Sequence, residues 1–260
     1  MKYGFIGCGN MGGAIATALS KATKDILLAD PFKAESLAAE LGCACGSNEE
    51  AVACDRLFLA VKPQVMGAVL ESLQGALAEK KPMLITMAAG LEIATIEKMA
   101  GVKLPIIRIM PNTPVAVGKG VIQYCKNELV DDSAVADFLN DMRFAGILDS
   151  IDEKLIDAAC SLSGCGPAFV YLFIEALADG AVACGVPRDK ALEYAAATVA
   201  GAAEMVRATG KHPGVLKDAV CSPGGSTIEG VKTLEENGFR GAVMDCVAAA
   251  YKRNKELGKS

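Results

Sequence analysis

The first dozen residues constrain this chain more than any other stretch. An apolar run, Lys2–Ile6, leads directly into Gly7-Cys8-Gly9-Asn10-Met11-Gly12 and then into the small apolar run Gly13–Leu19. The order strand, Gly-x-Gly-x-x-Gly turn, helix brings free backbone N–H groups and the positive end of a helix dipole to the end of a strand, where a pyrophosphate can lie. Gly7 serves the tight turn, Gly9 lets phosphates approach without a Cβ in the way, and Gly12 lets the helix pack on the strand. A glycine-rich turn with no ligand reads the same in isolation. The second apolar strand, Asp25–Ala29, argues for the ligand, because it ends in Asp30, 18 residues past Gly12. That is the place of an acid that binds a ribose hydroxyl.

The pattern then repeats. Lys33–Leu41 has helical spacing closed by Gly42, and a short strand at Cys43–Cys45 leads to Asn48. Arg56–Val61 is an almost unbroken apolar run, as expected of a strand covered on both faces. Helix Val65–Leu77, strand Met83–Met87, helix Leu91–Met99 and strand Ile106–Met110 follow. Such alternation predicts an α/β fold with a doubly wound parallel sheet, whose ligands sit at the carboxyl ends of the strands. Those ends carry Val61-Lys62-Pro63-Gln64, Ala88-Ala89-Gly90 and Met110-Pro111-Asn112-Thr113-Pro114. Read singly each is a turn; read together they line one crevice, with small residues leaving room for a flat ring and Asn112 and Thr113 supplying short polar groups. Val121–Tyr124 and Ala145–Asp149 add strands at the far edge of the sheet, on either side of a helix at Asp132–Met142.

Beyond Ile151 no strand pattern remains. The sequence therefore divides into a dinucleotide-binding domain over residues 1–150 and an all-helical domain over 151–260. Helix Asp152–Cys160 is followed by Ser161–Pro167 and by a helix at Ala168–Cys184 that is apolar nearly all round, so a partner subunit is expected to cover it. A long Ala-rich helix spans Asp189–Thr209, and Lys211-His212-Pro213 leads into Gly214–Val220. The next turn, Cys221-Ser222-Pro223-Gly224-Gly225-Ser226-Thr227, precedes helix Ile228–Glu236, and the last helix is expected at Arg240–Leu257. Ser222, Ser226 and Thr227 set hydroxyls and free N–H groups at a helix start, forming an anion cup without a fixed charge. The alternative is an ordinary N-cap.

Composition narrows the function classes. Hydrophobic residues at 52% and charged residues at 22% exclude a disordered chain and point to apolar surface buried beyond one protomer's core. A net charge of −5 with interspersed signs offers no basic stripe, so neither nucleic acid nor an anionic membrane is an expected partner. Charges are expected to break every apolar run before membrane-spanning length, and the start is a strand and not a leader, so the expected location is cytoplasmic. Ten cysteines without a CxxC pair, beside one histidine, assemble neither a zinc site nor a disulfide framework. No metal is expected, and the thiols read as reduced core residues.

Over essentially its whole length the sequence resembles the pyrroline-5-carboxylate reductases. The resemblance rests on Gly4–Gly12, Leu59–Gln64, Ala88–Gly90 and Arg108–Pro114, and above all on Ser163-Gly164-Cys165-Gly166-Pro167-Ala168-Phe169 and Ser222–Thr227. It implies a Rossmann-type domain that binds NADPH or NADH and a helical domain that forms a homodimer and contributes to the substrate site. In many members five such dimers form a decamer. The implied reaction is reduction of the cyclic imine 1-pyrroline-5-carboxylate to L-proline, the last step of proline biosynthesis. The resemblance also implies that Ser222, Gly225, Ser226 and Thr227 hold the substrate, with Thr227 the catalytic hydroxyl. The implied cofactor residues are Gly7, Gly9, Asn10, Met11, Gly12, Asp30, Asn48, Val61, Lys62, Pro63, Ala89, Gly90, Asn112 and Thr113. Cys165, Phe169 and Ser226 stand where the family often has serine, tyrosine and threonine.

The chemistry suits these residues. An imine bound as its iminium already carries the proton on nitrogen, so a hydroxyl that orients it suffices and no strong acid is required. Two other functions remain open at this level. A 3-hydroxyacid dehydrogenase of the same plan needs a general base, commonly a lysine with an asparagine one turn on along the central helix, and Ala168–Cys184 has neither. His212, the one histidine, lies in a connecting segment and reads as structural. A non-catalytic dinucleotide sensor would need no second polar cup.

Overall fold

The computed structural model describes residues 1–257. Eight strands form one sheet: β1 (Tyr3–Ile6), β2 (Ile26–Ala29), β3 (Ala44–Cys45), β4 (Arg56–Leu59), β5 (Met83–Thr86), β6 (Ile106–Met110), β7 (Gly120–Lys126) and β8 (Gly146–Ser150), in the order β3-β2-β1-β4-β5-β6-β7-β8. The first six run parallel. β7 turns back antiparallel to β6, and β8 lies parallel to β7, so the last two strands, at one side of the sheet, oppose the other six. The strand order reverses between β1 and β4, which opens a crevice at their carboxyl ends.

Helices cover both faces, because strands this apolar cannot leave either face in water. On one face α1 (Asn10–Leu19), α2 (Ala34–Leu41) and α6 (Asp132–Asp141) bury Ile15, Leu19, Ala38 and Phe138 against Phe5 and Phe58, whose rings stack 4.3 Å apart. On the other, α4 (Pro63–Lys80) presents Met66, Leu70, Leu73 and Leu77, a seam at helical spacing, and α5 (Ile93–Ala100) adds Ile96. Each such side chain contributes about 1.5–3 kcal/mol of burial. A short helix that the sequence pattern did not reveal, α3 (Asn48–Val52), is held by a capping box in which Glu50 N–H donates to Ser47 Oγ and Ser47 N–H to Glu50 Oε2.

At the opposite end of the sheet from the crevice, Asp141 accepts from the Tyr3 hydroxyl at 2.7 Å and pairs with Lys2 at 2.6 Å, while Arg56 donates to Tyr3 at 2.7 Å. These contacts tie α6 to the starts of β1 and β4. In β6, Arg108 is 2% exposed and meets Glu153 at 3.0 Å and Asp157 at 3.4 Å. Glu153 also accepts the first N–H of α5, from Ile93 at 2.7 Å. These bonds bind the start of α7 (Ile156–Ser163) to the sheet, and Asn254 adds a hydrogen bond to Ser161 at 3.2 Å. Accordingly Met1–Cys165 and the chain from Ala250 form one compact unit, and Gly166–Ala249 form a second.

The second unit contains α8 (Gly166–Ala183), α9 (Arg188–Thr209), α10 (Pro213–Ala219), α11 (Ser226–Glu236) and the beginning of α12 (Phe239–Leu257). Its own core is slight: Ala178 on α8 meets Ala191 and Ala195 on α9. Within the protomer Leu172 is 66% exposed and Met244 67%. An apolar groove of about 440 Å³ runs between Phe169, Leu172 and Phe173 on α8 and Phe239, Val243 and Cys246 on α12. The cover expected for the apolar helix is therefore not supplied by its own chain. One expectation is corrected: Glu153–Ala183 is long and apolar enough to cross a membrane by length and composition. Within it the uncharged run is Ala158–Ile174, bounded by Asp157 and Glu175. Cys45 and Cys184 are likewise exposed, at variance with ten core thiols.

Candidate active site

The crevice is built from the β1–α1 turn outward. Gly7 adopts φ 97°, and a Cβ there would lie 2.8 Å from the Ala60 carbonyl oxygen, so both conformation and close approach require glycine. At Gly12 a Cβ would strike the Gly7 carbonyl and stand 2.9 Å from Ala60 Cβ. Gly9 differs. Its backbone is extended (φ −63°, ψ −170°), and nothing lies within 4 Å of where its Cβ would be. Gly9 is also the N-cap of α1 without a side-chain cap, so the first N–H groups of that helix are left for a ligand.

Around this helix start lies a cavity of about 680 Å³. Gly7, Gly9, Asn10, Met11, Asp30, Val61, Lys62, Pro63 and Ala89 all line it, together with Ala60, Val65, Met87, Met110 and Pro111. A second chamber of about 270 Å³ shares Lys62, Pro63, Ala89 and Met110 with it and adds Gln64, Gly90, Asp157, Cys160 and Asn254. The space beside Gly9, which a Cβ would fill, and the uncapped N–H groups fit a dinucleotide diphosphate. Gly12 lies beneath the turn as a packing residue. Asn48, half-exposed as the first residue of α3, and Thr113, exposed, line neither space.

Asn112 is a correction to the sequence reading. Its amide is 6% exposed and occupied at both ends: Nδ2 donates to the Ser163 carbonyl at 2.9 Å, and Oδ1 accepts from Val121 N–H at 2.8 Å. The side chain joins the end of β6 to β7 and α7, and its polar atoms are not offered to a ligand. Signals that sequence reasoning passed over are Asp157 and Asn254, brought to the second chamber only by the fold of the chain's end.

Asp30 is fixed in the cavity wall. One carboxylate oxygen accepts from Cys8 N–H at 2.8 Å and the other from Phe32 N–H at 2.9 Å and Lys33 N–H at 3.0 Å. Burial raises its pKa, but the three backbone donors outweigh it and hold the carboxyl below the usual 3.8. Beside it burial, with the Asp30 charge, pushes the Cys8 thiol up to about 12, which leaves it protonated and inert.

The polar cup of the second unit starts with a turn closed by Gly225 N–H on the Ser222 carbonyl at 3.0 Å. Pro223 and Gly224, the latter at φ 69°, occupy its centre as a type II turn requires. A Cβ at Gly225 would collide with Ser222 Oγ. Gly225, not Thr227, is the N-cap of α11, and no side chain caps the helix. Ser226 and Thr227 are its first two residues and are exposed. Their hydroxyls are therefore not used in capping. His212 has the structural part expected of it, since Nδ1 accepts from Gly214 N–H at 3.1 Å and caps α10.

Comparison with known proteins bears on this arrangement. The family model described as pyrroline-5-carboxylate reductase dimerisation matches residues 153–257, and the model described as NADP oxidoreductase, coenzyme F420-dependent, matches residues 2–90. The pyrroline-5-carboxylate reductase of Escherichia coli is 41% identical over 267 aligned positions, which cover 100% of this chain and 99% of that one. The chain belongs to the pyrroline-5-carboxylate reductase family. The crystal structure of the Plasmodium falciparum pyrroline carboxylate reductase with NADP bound superposes with a TM-score of 0.89 at 37% identity, covering 99% of this chain and 98% of that one. The Coxiella burnetii pyrroline-5-carboxylate reductase superposes at 0.90 with 32% identity, covering 100% and 99%. As in its family, the sheet unit is Rossmann-like and the helical part a dimerisation domain. That domain spans α8, whose Leu172 is exposed in the protomer.

Proposed function

We propose that residues 1–150 hold the nicotinamide cofactor and residues 151–260 provide the dimer contact and the substrate cup of a pyrroline-5-carboxylate reductase. The reaction is the NAD(P)H-dependent reduction of 1-pyrroline-5-carboxylate to L-proline. Full-length kinship with reductases of that name carries this reading, and it disfavours both a 3-hydroxyacid dehydrogenase and a silent dinucleotide sensor. The cofactor supplies the hydride that adds to the imine carbon.

The chain's own residues supply position and electrostatics. The N–H groups at the start of α1 receive the diphosphate beside Gly9, and Lys62, Pro63, Ala89 and Gly90 shape the far end of the crevice. The N–H groups opening α11, with Ser222 and Ser226, receive the substrate carboxylate. The Thr227 hydroxyl accepts the iminium N–H and holds the ring's orientation, so that the charge lost from nitrogen on reduction needs no protein acid. Asp30, held ionised, accepts from a free ribose 2′-hydroxyl and repels a 2′-phosphate, so NADH is used at least comparably with NADPH. We place the enzyme in the cytoplasm as a dimer that can assemble further into a decamer of five, without nucleic-acid or membrane partners; the net charge of −5 without a basic stripe supports that choice.

The test is loss of reduced-nicotinamide absorbance. Oxidation of NADH and NADPH with pyrroline-5-carboxylate, measured side by side, and none with 3-oxoacids, is the expected result. Turnover with a 3-oxoacid and none with the imine would overturn the substrate assignment. A hundredfold preference for NADPH in kcat/KM, about 2.7 kcal/mol, would overturn the role given to Asp30.

A further inference from the structure

Among the eight phenylalanines of the chain, seven are packed to some degree. The eighth, Phe32, is 92% exposed, and the next most exposed, Phe239, is 39%. Phe32 lies in the loop after β2, two residues beyond Asp30. Its backbone is held there: Phe32 N–H donates to Asp30 Oδ1 at 2.9 Å, and Asp30 in turn lines the 680 Å³ cavity beside the β1–α1 turn. Pro31, between Asp30 and Phe32, restricts the loop further. An exposed aromatic side chain is thus carried on a backbone held by Asp30, the acid in the wall of the crevice. Leaving a whole ring in water forfeits the burial that each core phenylalanine gains.

From this placement we infer that Phe32 is the stacking platform for the adenine ring of the dinucleotide. The inference rests on the proposed cofactor reading of the crevice. Adenine is flat and has an apolar face, and a side chain with two rotatable bonds loses little entropy on ordering against it. Loss of a base–aromatic stack weakens binding by about tenfold. It is indifferent to the 2′-substituent, so Phe32 sets affinity for the adenosine half while Asp30 sets the choice between the two cofactors.

The experiment uses the full-length protein and calorimetric titration with three probes: NADH, ADP-ribose, which carries adenine without nicotinamide, and reduced nicotinamide mononucleotide, which carries the reverse. Phe32→Ala weakens NADH and ADP-ribose by about tenfold each and leaves the mononucleotide unchanged, with an unaltered melting temperature because the side chain packs on nothing. The chain contains no tryptophan, so Phe32→Trp is a single-site reporter. It retains affinity, and its emission changes on saturation with ADP-ribose. Wild-type affinity for ADP-ribose in Phe32→Ala, or Phe32→Trp emission indifferent to ADP-ribose, overturns the platform while leaving the cofactor crevice intact. A change in sedimentation of Phe32→Ala with unchanged ADP-ribose binding overturns it in favour of a contact between copies. Failure of the wild-type protein to bind either NADH or ADP-ribose overturns the crevice reading itself.

Discussion

Alanine placed at Gly9 and alanine placed at Gly12 separate cofactor binding from folding, although both glycines belong to one six-residue motif. At Gly9 the backbone angles suit any residue and the site of the new methyl is empty to 4 Å. Alanine is the poorer N-cap by roughly 0.5–1 kcal/mol, and the reduced freedom of the unfolded chain offsets about 0.4–1 kcal/mol of that. The net change in stability is therefore small, and the melting temperature stays within about 2 °C. The methyl does fill open space at the start of α1, where the proposed diphosphate would lie on the Asn10 and Met11 N–H groups. Two hydrogen bonds to a charged diphosphate, about 1.5–3 kcal/mol each, are weakened, and NADH affinity falls by at least about a hundredfold. At Gly12 the methyl runs into the Gly7 carbonyl and comes within 2.9 Å of Ala60 Cβ. Overpacking of this kind costs about 1–3 kcal/mol, so Gly12→Ala melts several degrees early. Calorimetric NADH titration paired with a thermal melt on each variant decides the matter. Binding within about threefold of wild type in a normally folded Gly9→Ala would refute the placing of a diphosphate over that residue.

Other expectations follow from the same geometry. Thr227→Val lowers kcat/KM roughly ten- to a hundredfold, the worth of one hydrogen bond to a charged group, and leaves the melting temperature unchanged because Gly225 is the N-cap; an early melt with normal kinetics would make Thr227 a structural residue. Burial acts to raise the Asp141 pKa, but its bonds to Lys2 and Tyr3 and the nearby Arg56 charge prevail and hold it below 3.8, so its stabilisation is complete above that pH and is lost as pH falls through the lower folded value. Asp141→Asn is accordingly less stable at neutral pH and loses less on acidification than wild type, as melts across that range will show; parallel curves would contradict the linkage. Leu172→Asp puts a charge on an apolar face that is exposed in the protomer and sediments as a folded monomer, whereas a persistent dimer would move the contact elsewhere.

Sequence by itself determined the parallel sheet, the phosphate turn, the acid after the second strand and the succession of helices after the last strand. All of these depend on local periodicity and on glycine, signals that act within a few residues. Tertiary structure alone decided which side chains were free. Asn112 and Asp30 are both short polar residues near strand ends, and the fold engages both ends of each side chain, yet it buries Asn112 against Ser163 and Val121 and sets Asp30 in the cavity wall. The buried Arg108 sat unnoticed in an apolar strand, since its partners Glu153 and Asp157 lie more than forty residues away. The reversal of β7 and β8, the return of Asn254 to α7, and α3, too short for a periodic signal, were hidden in the same way. A one-dimensional pattern reports what each residue prefers, and only packing fixes which partner satisfies it.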